Sequence, residues 1–427
     1  MEDDKLINRI IIGVVVFLGL MLSLLLFRIY SDVQRKQSYS FQEKDKKNIT
    51  IWTIHGDIQT ILEEVVKKYE TEDISFEITS FKNEVYQSTI QSAAITNQLP
   101  DIFFAWGYGW LEKYVKFDLV ADITDVVEET GLKEKCLPYT LEGVTYDDKL
   151  YAMPTYGWNV SLFCNEELFR VLDIDYPTTY DEFIEVIKAF KAEGMVPLAG
   201  SMKEEWVNSL YYMSLVLGEG ELQGVYDAAL NHKKFNTPQF YNAAKKMQEI
   251  NGLMPWQSNY IEDDGYDACY LFTQGKSAML LYGSWAASSI EAEDSKVKDI
   301  VKVIPFPNEN TRYGVGGFVD TFVISKNGKI SEDKELQLLY LQIMQDVSQL
   351  AIDKYGIGLP AYKGQEINKA KFPTMYACST IKPSKGQHPA YDQLFGEGKG
   401  QTYYRLLRQL INKEIDAKEF TAQLAKE

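Results

Sequence analysis

The sequence predicts an α/β protein of two lobes carried behind one N-terminal transmembrane helix. Three observations predict it. The stretch "IIIGVVVFLGLMLSLLLF" at Ile10–Phe27 holds no charged residue. A helix of that length, at ~1.5 Å per residue, spans about 27 Å, close to a bilayer's hydrocarbon core. The chain beyond it, about 380 residues, exceeds what a single hydrophobic core organises. From Ile49 to Gly107 the pattern reads β-α-β-α-β, the order of a parallel or mixed sheet covered by helices.

Residues 1–9 precede the span, 10–30 form it, and 31–48 read as a polar, flexible stalk. The apolar core of a secretory signal is usually roughly 7–15 residues and ends at a small-x-small site. "RIYSDVQRKQSYS" after Phe27 has no such pattern, and no cysteine for lipidation precedes Cys136. A retained anchor is the first reading; cleavage near Tyr30 and a buried core helix are the alternatives. Arg28, Arg35, Lys36, Lys44, Lys46 and Lys47 follow the span, against Lys5 and Arg9 before it. By that count alone the large domain would face the cytoplasm.

The folded part opens with "NITIWTIHG", a strand. Then "IQTILEEVVKKYETE" places Ile58, Ile61, Leu62, Val65, Val66 and Tyr69 at a helical period. "ISFEITSF" alternates as a second strand, 84–97 reads as a helix, and "PDIFFAW" as a buried strand bounded by Pro100 and Gly107. After "DDKLYAMPTYGW" come a strand running into a helix ("NVSLFCNEELF") and a helix with a threonine cap and terminal Gly194 ("TTYDEFIEVIKAFKAEG"). The strands "VPLAGS" and "VKVIPFPNENTRYGVGGFVDTFVIS" flank further helices, and a helical tail follows.

Net charge is −17, from 44 basic and 61 acidic residues, which disfavours nucleic acid and anionic lipid as partners of the folded part. Cys136, Cys164, Cys269 and Cys378 are widely spaced and read as free buried thiols. His55, His232 and His388 stand alone, with no H-E-x-x-H, G-x-S-x-G or phosphate-cradling motif. "EDDG" at Glu262–Gly265 lacks calcium-loop spacing. Neither catalysis nor a metal or other cofactor is expected.

What recurs is aromatic residues beside glycine at strand ends: "IWTIHG", "FFAWGYGW", "PTYGWN", "YGSWAAS" and "GVGGF". In open α/β sheets ligands bind outside the carboxyl ends of strands. A pyranose shows C–H groups on one face and hydroxyls at its edge, so rings plus carboxylates and backbone groups suit a sugar. The competing roles are core packing for Trp106, Trp110, Trp206 and Trp285, and helix capping for Asp57.

"ITIWTIHGDIQTILEEVVKKYE", "LPDIFFAWGYGWLEKYVKFDLVADIT", "DDKLYAMPTYGWNVSLFCNEELF" with "YPTTYDEF", "FTQGKSAMLLYGSWAAS" and "VKVIPFPNEN…GGFVDTFVISK" occur in that order. The combination resembles the family 1 extracellular solute-binding proteins of bacterial ABC importers, from Ile49 to the C-terminus. The pair "KLYAMP" and "GKSAMLLYGSWA" is its most specific part. The resemblance implies a periplasmic-binding-protein-like fold with three hinge crossings, near Pro154–Gly157, Val303–Pro305 and Ile357–Pro360. Lobe one would be 49–155 plus 305–357, and lobe two 157–303 plus 361–427.

It also implies ligand contacts at His55, Gly56 and Asp57, at Trp106, Tyr108 and Trp110, and at Tyr156 and Trp158. Glu204, Trp206, Trp285, Gly317, Phe318 and Tyr403 complete that set. Trp158 stands where maltose-binding members carry a carboxylate, which puts maltose itself in doubt. Asp57, Glu204 and Asp320 are the candidate cleft carboxylates. The implied protein is a monomeric subunit tethered to a Gram-positive cell membrane, its domain outside, passing sugar to ABC permease subunits. That location reverses the orientation drawn from the flanking charges. A sugar-sensing partner of a membrane kinase, a peptide- or polyamine-binding protein, and a carbohydrate-active enzyme are the rivals.

Overall fold

In the computed structural model the described residues are 46–426 apart from 231, 311 and 390, with 21, 23, 27, 28 and 31 besides. Most of the anchor expected at 10–30 and most of the stalk lie outside them. No helix among the described residues is long and apolar enough to cross a membrane. Contacts divide the chain into two units, Met1–Ile49 with Tyr69–Glu77, and Thr50–Lys68 with Ile78–Glu427. In the smaller unit the Lys47 N–H donates to the Asp73 carbonyl at 2.8 Å and the Asn48 amide to Glu77 at 3.0 Å. The larger unit contains lobe two and, apart from 47–49 and 69–77, lobe one described next.

The strands in chain order are β1 (Lys47–Ile54), β2 (Ile74–Phe81), β3 (Ile102–Trp106), β4 (Thr145–Tyr146), β5 (Lys149–Leu150), β6 (Ala152–Pro154) and β7 (Trp158–Asn165). There follow β8 (Leu198–Ala199), β9 (Met279–Gly283), β10 (Val301–Ile304), β11 (Gly314–Gly317), β12 (Asp320–Ile324) and β13 (Gln387–His388). Lobe one is built on a sheet of order β2-β1-β3-β12-β6, with β1 and β3 parallel and β12 antiparallel to both its neighbours. Lobe two carries the order β13-β11-β7-β9-β8, with β10 also paired to β7. β4 and β5 form a separate hairpin.

Local sequence explains these elements. The helix Asp57–Val66 buries Ile58, Ile61, Leu62, Val65 and Val66, the face its spacing predicts. Every residue of β7 is buried, as suits a central strand covered on both sides. At its end Asn165 accepts from the backbone of Glu167 and Leu168, capping the next helix. Thr179 and Glu182 form a capping box at the start of Tyr180–Ala192. Cys136, Cys164, Cys269 and Cys378 are free and buried.

The first passage between lobes runs from Pro154 at the end of β6 to Trp158 at the start of β7. The second departs from expectation. After Val303–Pro305 the chain stays with lobe two: the Phe306 ring meets Phe183 at 5.5 Å, the Asn308 amide donates to the Ser214 carbonyl, and β11 pairs with β7. It returns to lobe one only between Gly317 and Asp320. The prolines of "PFPNEN" end strand pairing without changing lobe, and that misplaced the boundary.

The third passage brings Leu359 beside Gly157, each N–H donating to the other's carbonyl at 2.9 and 2.7 Å. The Phe318 ring covers Gly157 so closely that a Cβ there would lie 2.7 Å from it. All three passages therefore meet at Gly157. Residues 361–365 still belong to lobe one, since the Leu137 N–H donates to the Ala361 carbonyl and the Gln365 amide to Ser348. Ile367, Phe372, Met375 and Cys378 then join a core with Phe163, Leu280 and Tyr282 of lobe two. The third boundary is thus several residues later than expected.

Candidate functional site

The densest group of sequence-predicted residues forms an aromatic wall on lobe two. Trp285 follows β9, and Gly283 leaves the space its ring occupies, because a Cβ there would collide with the indole. Trp285 meets Trp158 at 5.2 Å, Tyr282 at 5.3 Å and Trp206 at 5.8 Å between ring centroids. Trp206 comes from the first turn of the helix Glu205–Glu219 and Trp158 from the start of β7. Trp158 is buried while Trp206 and Trp285 are half-buried, so two rings keep faces in reach of solvent. The Trp206 indole N–H is buried without an acceptor. Glu204 lies beside the wall and accepts the Gly265 N–H at 2.7 Å, at the start of the helix Gly265–Thr273.

Lobe one meets this wall through the loop after β1. Asp57 opens the helix Asp57–Val66, whose N-terminus has no side-chain cap. Its carboxylate instead accepts from the Ser288 hydroxyl at 3.2 Å, one turn beyond Trp285. Desolvation raises the Asp57 carboxyl pKa and the Ser288 bond opposes it, although by area the side chain remains exposed. His55 and Gly56 are exposed beside it, with His55 Nδ1 3.2 Å from Gln59 Oε1. Trp106, at the end of β3, is half-buried against Phe104 at 5.1 Å and Trp110 at 5.4 Å.

Asp320 opens β12 directly opposite Trp106, and burial pushes its carboxyl up to about 7. Tyr156 is buried nearby, and its phenol pKa is raised by burial first and then by Asp320 and Asp57. Asp57, Tyr156 and Asp320 therefore share one neighbourhood near the passages between lobes.

Other predicted residues have different surroundings. Trp110 is 8% exposed and donates its indole N–H to the Asp392 carbonyl of lobe two at 2.9 Å. Beside it, a Cβ on Gly109 would lie 2.5 Å from the Leu394 carbonyl oxygen. "GYGW" therefore makes a backbone contact between lobes. Tyr108 has a positive φ of 56°, and its carbonyl accepts from the Tyr146 hydroxyl at 2.7 Å. Phe318 is held against Gly157 and, at 5.6 Å, Tyr139; Gly317 pairs with Trp158 across β11 and β7.

Tyr403 is a correction. It is fully buried, its hydroxyl is 2.9 Å from that of Ser209, and its ring sits among Tyr212 and Tyr391. It lies on the apolar face of the helix Glu397–Ile411 and belongs to the core. Ser288 and Tyr282 were missed; both flank the "GSW" motif, and the signal for Ser288 was its three-residue helical offset from Trp285.

Two cavities, of about 410 and 380 Å3, lie elsewhere. Neither is lined by any of the fourteen predicted contacts. No group of three or more metal-binding side chains occurs among the described residues.

Comparison with known proteins bears on these features. The family model described as bacterial extracellular solute-binding protein matches residues 54–335. A multiple sugar-binding protein of Streptococcus mutans is 22% identical over 315 residues, covering 71% of this chain and 72% of its own length. A chain solved in work on xylan utilization by the thermophilic bacterium Caldanaerobius polysaccharolyticus superposes with a TM-score of 0.82. It is 27% identical and covers 89% of this chain and 99% of its own. A chitin oligosaccharide binding protein has the same fold, with a TM-score of 0.79 at 22% identity, covering 90% of this chain and 98% of its own.

Proposed function

The chain belongs to the bacterial extracellular solute-binding protein family, and from that premise we propose that it captures an oligosaccharide between its lobes for an ABC importer. The observation that carries this reading is the Trp158–Trp206–Trp285 wall, with Asp57 of lobe one bonded to Ser288 beside it. Stacked rings supply apolar area for sugar C–H faces, and carboxylates with backbone groups accept hydroxyl protons. Closure of the lobes removes water from those hydrogen bonds. A ligand that binds the closed form better shifts the population toward it, and the permease would recognise that form. The sugar is released intact.

The uncharged stretch Ile10–Phe27 would hold the protein in the cell membrane with the folded part outside and 31–48 as a leash. Xylan- and chitin-derived oligosaccharides are the first ligands to test, given the relatives named above. In a thermal-shift screen of the purified chain, a sugar at ~100 times its dissociation constant should add about 2.7 kcal/mol of stability. If no carbohydrate raises the melting temperature while a peptide or polyamine does, the reading fails.

A further inference from the structure

Asp101 and Asp320 stand at opposite ends of the same pair of strands and are treated differently by the fold. Asp101 precedes β3, at the end away from the ligand-facing side. It accepts from the backbone N–H groups of Thr50 and Lys329, from the Thr50 hydroxyl and from the Lys329 ammonium. Those donors outweigh its desolvation and lower its pKa. This is how a structural carboxylate is satisfied.

Asp320 has none of this. Its carbonyl is fixed by the Thr155 hydroxyl at 3.0 Å, so its backbone is held. Its side chain keeps partial access to solvent, and its carboxyl oxygens have no hydrogen-bond partner among the described residues. Directly paired residues of antiparallel strands put their side chains on one face, so Asp320 shares a face with Trp106. Two residues along, Phe104 and Phe322 meet on that face at 5.7 Å. β3 ends there, at its carboxyl end, where sheets of this type bind ligands.

We propose that Asp320 is a ligand-contacting carboxylate that accepts sugar hydroxyls in its ionised state. The assignment rests on the sugar-binding reading and deepens it. A carboxylate with no protein donors lacks what a sugar diol supplies, two hydroxyls on two oxygens. Such charge-assisted bonds favour the ionised over the neutral acid. In the free protein desolvation by burial pushes the Asp320 carboxyl up to about 7. Tyr156, which feels both Asp320 and Asp57, is a titratable neighbour, and neither Tyr156 nor Asp57 is a base that supplies a counter-charge. Binding that selects the ionised form must lower that pKa, which makes affinity fall below pH 7 and level off above it.

The experiment is isothermal titration of the full chain with xylotetraose and with chitotetraose at pH 6 and pH 8, and in buffers of different ionisation enthalpy. Binding should be about ten-fold tighter at pH 8, with proton release near pH 6.5. Asp320→Asn should weaken binding at pH 8 and abolish the pH dependence; Asp57→Asn should keep it. A pH-independent affinity in the wild type, or a ten-fold change retained by Asp320→Asn, overturns the assignment alone. Should neither sugar bind, the same titrations use the carbohydrate that raises the melting temperature, and if none does the assignment falls together with the sugar reading.

A ligand-free measurement gives a second readout. The folded pKa near 7 lies above the unfolded value near 3.9, so Asp320 costs stability increasingly between those pH values. The melting temperature of Asp320→Asn relative to wild type should therefore rise from pH 5 to pH 8. An unchanged difference contradicts the proposal.

Discussion

Trp110 of lobe one and Trp285 of lobe two arise from the same local pattern, an aromatic residue beside glycine just past a strand, and they are put to different uses. Trp285 is half-buried, lies over Gly283 and shares a wall with Trp158, Trp206 and Tyr282. Trp110 is buried and gives its indole N–H to the Asp392 carbonyl, while Gly109 lets the backbone of Leu394–Gly396 come within contact. The glycine before Trp285 makes room for the ring itself. The glycine before Trp110 makes room for the other lobe. What the neighbouring glycine admits, ring or backbone, separates the proposed binding surface from a lobe-to-lobe contact, and single-sequence reading does not show which it is.

The contrast is sharpest at Trp285. Trp285→Ala removes a central ring and should cost about 2–4 kcal/mol of sugar binding by titration calorimetry, with little change in melting temperature. Trp110→Ala, compared in the same way, should lower the melting temperature more than it weakens binding. Equal effects at both positions would erase the distinction.

Gly109→Ala should cost about 1–3 kcal/mol in thermal unfolding, because its Cβ would press on the Leu394 carbonyl and the Gly396 backbone, which cannot move aside as a flexible side chain can. Normal stability would mean that the lobes are not in contact there in solution. Trp110→Phe keeps a ring but leaves the Asp392 carbonyl without its donor, and should cost about 1 kcal/mol in the same assay. Ser288→Ala has the smallest expected effect. It removes the Asp57 bond at a partly solvated site, so sugar affinity should change by less than about 1 kcal/mol while the pKa of Asp57, followed by NMR titration, should rise. A fall would show that Ser288 does not stabilise the ionised carboxylate.

Much of the fold was legible because its signals are local. The apolar period of Ile58–Val66, the capping pair Thr179 and Glu182, and the unbroken apolar run of β3 each name one element without tertiary information. Lobe boundaries are not local. Pro305 and Pro307 mark the end of a strand, yet which sheet β11 joins is decided by Gly316 and Gly317 pairing with Asn159 and Trp158, 157 and 159 residues away in sequence. The site was legible to the extent that its rings follow strand ends, as Trp158 and Trp285 do. Tyr403 was misread because a tyrosine on an amphipathic helix looks alike whether its hydroxyl meets solvent or, as here, Ser209 inside the core. Asp320 was named only as one carboxylate among three, since its lack of donors appears only when β12 is set against β3 and Thr155.

The most direct test of the central claim is calorimetric titration of wild type and Trp285→Ala with a xylo- or chito-oligosaccharide identified by thermal shift. A single saturable site in the wild type, weakened roughly thirty-fold or more in Trp285→Ala with the fold intact, is the predicted result. Equal affinity of the two proteins would contradict a sugar site on the Trp158–Trp206–Trp285 wall.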